Sequence, residues 1–291
     1  MIVLEAGTAR ALVALDGAEI KLWDVAGTPL IWQADPSVWP ETAPILFPVV
    51  GWTKGGQVRV GARHFALGLH GFARARCFEI VDQDRAAVRL RLASDAATLA
   101  LYPFDFSFIV EHRLTETGLR TTLHVANTGD RPMPYACGIH PGFRWPFAGG
   151  AAEDYKIHFA AAEDPLVPEI APGGLISQRK RRLPLQGEIL PLAATLFEDD
   201  ALCFLNAASR GLRFEAANGA AIALEVEDFP HLALWCRPGH GYLCLEAWTG
   251  YSDAEDFTGD LFEKPSMRVL SPGARARHMA TYSYEAPMSD R

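Results

Sequence analysis

The sequence predicts an all-β fold, a large sandwich of antiparallel strands, in a chain whose 291 residues fit either one domain or two. Three observations carry that prediction. Apolar and polar residues alternate at a period of 2, as in Val88, Leu90 and Leu92 against Arg89 and Arg91, the pattern of a strand with one face buried. Turn signals recur between such runs, and strands joined by short turns pair antiparallel. Helically spaced apolar stripes are scarce, so the strand–helix alternation of a parallel α/β sheet is missing.

In chain order, residues 11–32 read as strands turning at Asp16-Gly17, and residues 57–67 as a pair turning at Val60-Gly61, just after the turn Gly55-Gly56. Residues 86–95 form one strand, and residues 119–140 form strands separated at Thr128-Gly129-Asp130. A further hairpin is marked by Asn218-Gly219. The segment from Glu163 to Pro191, rich in proline and carrying the basic run Arg179-Lys180-Arg181-Arg182, reads as a long surface loop with a solvated face. No internal repeat or low-complexity linker divides the chain.

Composition narrows the function. With 49% apolar and 21% charged residues, the chain can bury a sizeable core and is not generally disordered. A net charge of −8 argues against nucleic acid or an anionic membrane as partner and favours a small molecule. Charges interrupt every apolar run well short of the ~18 residues of a membrane span. The start, MIVLEAGTARALVALDGAEIKLWD, lacks the basic-then-apolar order of a secretory signal, so a cytoplasmic, unanchored protein is expected, as a monomer or homodimer. The five cysteines, Cys77, Cys137, Cys203, Cys236 and Cys244, sit in apolar surroundings without a CxxC pair and read as reduced core thiols.

Three polar residues stand out inside apolar, turn-punctuated sequence: His70 in LHGFAR, His140 in ACGIHPGF and Glu246 in YLCLEAW. A carboxylate in the middle of an apolar strand must be solvated by a cleft, paired or kept neutral, because burying an isolated charge is prohibitive. Each of the three has a structural reading when taken alone. Together, two imidazoles and a carboxyl form a set suited to moving protons near neutral pH. A His2Glu zinc site needs the same residue types, but HExxH and HxH are absent and the three lie far apart in sequence, so no metal is expected. Neither Cys137 nor Cys77 has neighbours that would activate a thiol. GWTKGG lacks the spacing of a phosphate loop, and no cofactor is implied. Trp52, Phe72, Phe143, Trp145, Trp235 and Trp248 cluster near these points, where one or two could wall a sugar ring.

WQADPSVWPETAPILFPVVG, LHGFAR, YPFDFSF, CGIHPGF, LFEDDALCF, EDFPHLALW and CLEAWTGYSDA, in this order from about residue 20 to 273, resemble the aldose 1-epimerase (galactose mutarotase-like) family in its LacX-like branch. The resemblance implies a single-domain β-supersandwich over residues 1–291 with an open sugar cleft and cofactor-free interconversion of α and β anomers. It implies Glu246 as base on the anomeric hydroxyl, His140 as acid toward the ring oxygen, His70 as the second imidazole and Asp200 as a ligand of sugar hydroxyls. Two departures bear on the sugar: Gly51-Trp52 replaces the usual Gly-Arg, and Glu246-Ala247-Trp248 replaces Glu-Pro-Trp. Arg74 is shared with the hexose-6-phosphate 1-epimerase branch and, with Arg76 or Arg144, offers an anionic sugar a charge-assisted site, unless a structural carboxylate holds it. Alternatives on the same scaffold are a non-catalytic sugar-binding module and a glycoside hydrolase pairing Glu246 with Asp200 or Asp228.

Overall fold

The computed structural model describes residues 1–287, and its regular structure is almost entirely antiparallel strand. The largest unit is a nine-stranded sheet running, edge to edge, Ile189–Pro191, Lys156–Phe159, Gly211–Glu215, Ala221–Glu227, Arg275–Glu285, Gly118–Asn127, Phe106–Leu114, Ala87–Ala93 and Glu79–Gln83. Its inner face is built by the expected alternation: Val88, Leu90 and Leu92 are buried while Arg91 is exposed, and the alternation continues through Phe106, Phe108 and Val110. The period of 2 therefore sets which side chains meet the core.

Against that face packs a second, six-stranded sheet: Leu202–Phe204, His231–Trp235, Tyr242–Trp248, Gly138–Ile139 and Ile45–Leu46 in order, with Gly142–Arg144 also paired to Tyr242–Trp248. Phe47 stacks on Phe108 with centroids 4.4 Å apart, and Phe143 meets Tyr282 at 5.0 Å. The Tyr282 hydroxyl donates across the layers to the Leu245 carbonyl at 2.6 Å. All seven residues of Tyr242–Trp248 are buried, which is why that stretch reads as a continuous apolar run broken by one glutamate.

Smaller sheets complete the molecule: a four-stranded sheet from Ile2 to Pro29 and three two-stranded ribbons. Three sequence expectations change. Thr128-Gly129-Asp130 is not a hairpin turn; the chain there leaves the nine-stranded sheet, and Met133–Tyr135 pairs with Arg268–Leu270 instead. The Glu163–Pro191 segment is not a loop either. It contains a ribbon, Leu166–Ala171 with Leu175–Arg182, and the edge strand Ile189–Pro191. Pro168 lies where the ribbon's register shifts, and half of Leu175–Arg182 is exposed in no alternating order, so neither strand shows clean alternation in sequence. Cys77 is exposed, unlike the other four thiols, so it is not a core cysteine. Among the described residues, no helix is long and apolar enough to cross a membrane.

Candidate active site

Strand register places the central pair. Gly138 faces Trp248, Ile139 faces Ala247 and Gly142 faces Cys244, the same antiparallel register on both sides of His140-Pro141, so His140 falls opposite Glu246 in the gap between the two paired stretches. Directly opposed residues on one face bring their side chains together, and His140 Nε2 lies 3.3 Å from Glu246 Oε2. On the other flank Glu246 faces Ala233, which faces Cys203. Small side chains thus follow Glu246 along that row, leaving open space beside the carboxyl.

The glycines around His140 serve its neighbours. A Cβ at Gly138 would meet the Trp248 ring at 2.8 Å, and one at Gly142 would meet the Trp39 ring at 2.6 Å. Both indoles therefore lie on bare backbone beside His140, whose ring is 5.3 Å from Trp39 and 5.6 Å from Trp235. Trp248 also donates its indole N–H to Glu246 Oε2 at 3.1 Å. With both contacts on Oε2, Oε1 is left without a protein partner among the described residues.

His70 arrives from a different element. Its backbone is left-handed, with φ of 61°, and Gly71 follows at 70°; a Cβ on Gly71 would strike the Phe47 carbonyl oxygen at 2.3 Å. A non-glycine residue there is strained, a feature that clusters at functional sites. The Gly51 N–H donates to His70 Nδ1 at 3.0 Å, while the His70 N–H donates to the Gly51 carbonyl at 2.9 Å. Because Nδ1 accepts, a neutral His70 carries its proton on Nε2 and is a donor there. The His70 and His140 rings sit edge to face, 5.5 Å apart.

All six residues singled out in the sequence, Glu246, His140, His70, Asp200, Arg74 and Trp52, line one cavity of about 310 Å³. Trp39, Glu41, Arg237, Trp235, Trp248 and Ser252 line it too. Glu41 and Trp39 fall inside the quoted WPETAP segment, but nothing in its spacing marks them as functional. Asp200 sits at φ 76° with Oδ1 accepting its neighbour's N–H from Ala201 at 2.8 Å. Arg74 is held: its Nη1 donates to both Glu41 oxygens, at 2.9 and 2.8 Å. Arg76 and Arg144 are not among the cavity residues, so the cationic cluster drawn from sequence does not form. Phe72, Phe143 and Trp145 belong to the core, and Asp228 lies outside the cavity, paired with Arg268 and His278.

Burial dominates the electrostatics. It pushes the Glu246 carboxyl well above the usual carboxylate range, with Asp200 adding to the rise and the Trp248 N–H opposing it. Burial likewise lowers the His140 imidazole to about 3 and His70 well below the ordinary histidine value. Both shifts favour a neutral pair in which Glu246 and His140 share one proton. Glu246, His140 and Cys244 are also the one set of three potential metal donors found among the described residues, with ligand atoms within 4.8 Å of one another. Burial raises the Cys244 thiol well above its ordinary value, which keeps it protonated and disfavours ligation.

The chain matches the family model described as aldose 1-epimerase over residues 1–278. It belongs to the aldose 1-epimerase family. Two LacX proteins of Lactococcus lactis subsp. lactis, one plasmid-borne and one chromosomal, are each 30% identical over 269 residues, 89% of this chain and 90% of theirs. Among solved structures, a galactose mutarotase related enzyme from Lactobacillus acidophilus superposes with a TM-score of 0.90 at 27% identity, covering 99% of this chain and 98% of that one. A galactose mutarotase-like protein from Lactobacillus casei gives the same TM-score at 28% identity, covering 98% of this chain and 100% of that one. The sandwich just described is thus the architecture of this aldose 1-epimerase family member's relatives, and its cavity is the place to look for the family's chemistry.

Proposed function

We propose that the protein is a cofactor-independent mutarotase that opens and recloses the ring of a neutral hexose, interconverting its α and β anomers. The observation that carries this reading is the buried Glu246–His140 pair, opposed across two strands and opening onto a cavity with His70. Opening a hemiacetal removes the proton from O1 and delivers one to O5. Closure on the other face of the aldehyde, after rotation about C1–C2, reverses both transfers. One proton on the pair is sufficient for the cycle: carboxylate with imidazolium before opening, carboxylic acid with imidazole after it. Glu246 takes the O1 proton through its free Oε1, His140 gives its proton to O5, and the Nε2–H of His70 donates to the ring region. Asp200 accepts from sugar hydroxyls at the rim. Acid-base groups of this kind contribute about 10²–10⁴-fold each, enough for a reaction that water already supports.

The choice of a neutral sugar follows from the lining. Arg74 is matched by Glu41, and the lining's other cation, Arg237, is offset in number by the carboxyl of Asp200, so the cavity holds no concentrated positive field for a phosphate or sulfonate. Exchange NMR of the two anomers of glucose, galactose, glucose 6-phosphate and sulfoquinovose tests the proposal. Acceleration for a neutral hexose well above either anionic sugar is expected. Preference for an anionic sugar would overturn the substrate assignment. Thermal stabilisation by sugar without exchange would make the protein a binding module, and release of nitrophenol from nitrophenyl glycosides would make it a hydrolase.

A further inference from the structure

We infer that the buried ion pair Asp253–Lys264 is a positioning device for the cavity: it clamps the Gly51–Lys54 segment so that Gly51 holds His70 in its donor tautomer and Trp52 stands at the mouth. This rests on the mutarotase reading for its catalytic consequence, but not for its geometry. The side chains of Lys264 and Asp253 are 1% and 4% exposed, and the Lys264 ammonium donates to Asp253 Oδ1. Only Asp253 reaches the segment directly. Its Oδ2 accepts the Lys54 N–H at 2.8 Å, and its own N–H donates to the Trp52 carbonyl at 2.8 Å. Next to it, Ser252 Oγ accepts the Trp52 N–H at 2.9 Å.

Contact between these segments is so close that a Cβ on Gly51 would lie 2.2 Å from Ser252 Oγ and 2.5 Å from the Ser252 nitrogen. At φ 72° Gly51 turns its N–H toward His70 Nδ1. Hydrogen bonds from the side chain and backbone of Asp253 thus fix Lys54 and Trp52, and through the Gly51–Trp52 peptide they reach the Gly51 N–H that holds the imidazole. The Asp253 carbonyl also accepts the Ile176 N–H at 2.9 Å, tying in the ribbon whose Gly174 lies against the Trp52 ring. Two walls of the cavity thus share one anchor. Buried polar networks of this kind orient functional groups when every member is satisfied.

The test replaces the pair whole, Asp253→Leu with Lys264→Met, because removing one partner alone would strand a buried charge. Long-range ¹H–¹⁵N spectra report the His70 tautomer, since protonated and bare ring nitrogens resonate far apart, and Trp52 emission reports the mouth. The double variant is expected to show averaged His70 nitrogens, altered emission and kcat lowered about tenfold, the scale on which small misplacements act. Asp253→Asn with Lys264→Met keeps an oxygen for the Lys54 N–H and is expected to restore kcat to within about twofold of wild type. Should the leucine variant not fold, Ser252→Ala, which removes only the acceptor of the Trp52 N–H, is expected to shift His70 and Trp52 in the same direction. Unchanged His70 shifts in a folded Asp253→Leu with Lys264→Met protein, or in Ser252→Ala, would overturn the inference. A wild-type protein that exchanges no sugar would instead sink the mutarotase reading, while the ring-nitrogen shifts would still decide the clamp.

Discussion

At the scale of single residues, the site combines neutral groups that hold protons with fixed groups that orient them. Burial keeps Glu246 protonated to unusually high pH and His140 unprotonated down to about pH 3. The sign of the pH dependence follows. The pair carries its one working proton until acidification adds a second near His140's lowered value, or alkali removes it above Glu246's raised one. Over the range where the protein stays folded, kcat/KM is therefore expected to stay flat as pH falls through 6.5, where an ordinary imidazole would titrate. A clear inflection near pH 6.5 in stopped-flow polarimetry would contradict the shared-proton description. Trp248 has a separate role, since its N–H on Glu246 Oε2 steadies the ionised carboxyl. Trp248→Phe removes that donor and is expected to lower kcat about tenfold while sugar still binds.

Among the elements, the opposition of Glu246 and His140 is produced by strand register, and it is here that sequence and structure part company. That Glu246 lies in a buried strand and that His140 lies beside a chain bend are both legible from CLEAW and GIHPG. Their meeting is not, because it depends on which distant strand pairs with Tyr242–Trp248 and in what register, and no local pattern encodes that choice. Gly138 and Gly142 carry no local signal of their role, yet each is a seat for an indole. Gly142→Ala is expected to push Trp39 off His140, costing about 1–3 kcal/mol of stability and lowering kcat/KM; denaturant unfolding and exchange NMR together check it. The Leu166–Arg182 ribbon was hidden for the opposite reason: it stands apart from the large sheets as a two-stranded unit with a half-exposed second strand, so its period is masked by charge and proline.

For the molecule as a whole, the fold class was the most legible feature, because alternation such as Val88–Arg91 repeats over the sheet and each instance points the same way. Less visible were the polar groups that the core encloses. His112 is fully buried between Thr121 and the Ala18 carbonyl, and His231 accepts from the Asn206 N–H; burial lowers each imidazole to about 4. The unfolded chain takes up these protons from about pH 6.5 downward while the native protein refuses them, so stability present above that pH is lost as pH falls toward about 4. His112 alone accounts for roughly 3 kcal/mol of that loss, and urea midpoints measured from pH 7.5 to 4.5 should fall steadily, with a smaller fall in His112→Gln. Two sheets packed through Phe47, Phe108, Phe143 and Tyr282 hold the cavity floor rigid, and the loop that carries Trp52 lines the cavity beside it. In the proposed mechanism Glu246 moves the proton that opens a sugar ring, and anomer exchange by NMR at equilibrium, comparing wild type with Glu246→Gln on the best neutral hexose, tests that role most directly. Acceleration by wild type and a loss of at least about 10²-fold in the variant are expected, whereas equal exchange by the two proteins would rule the role out.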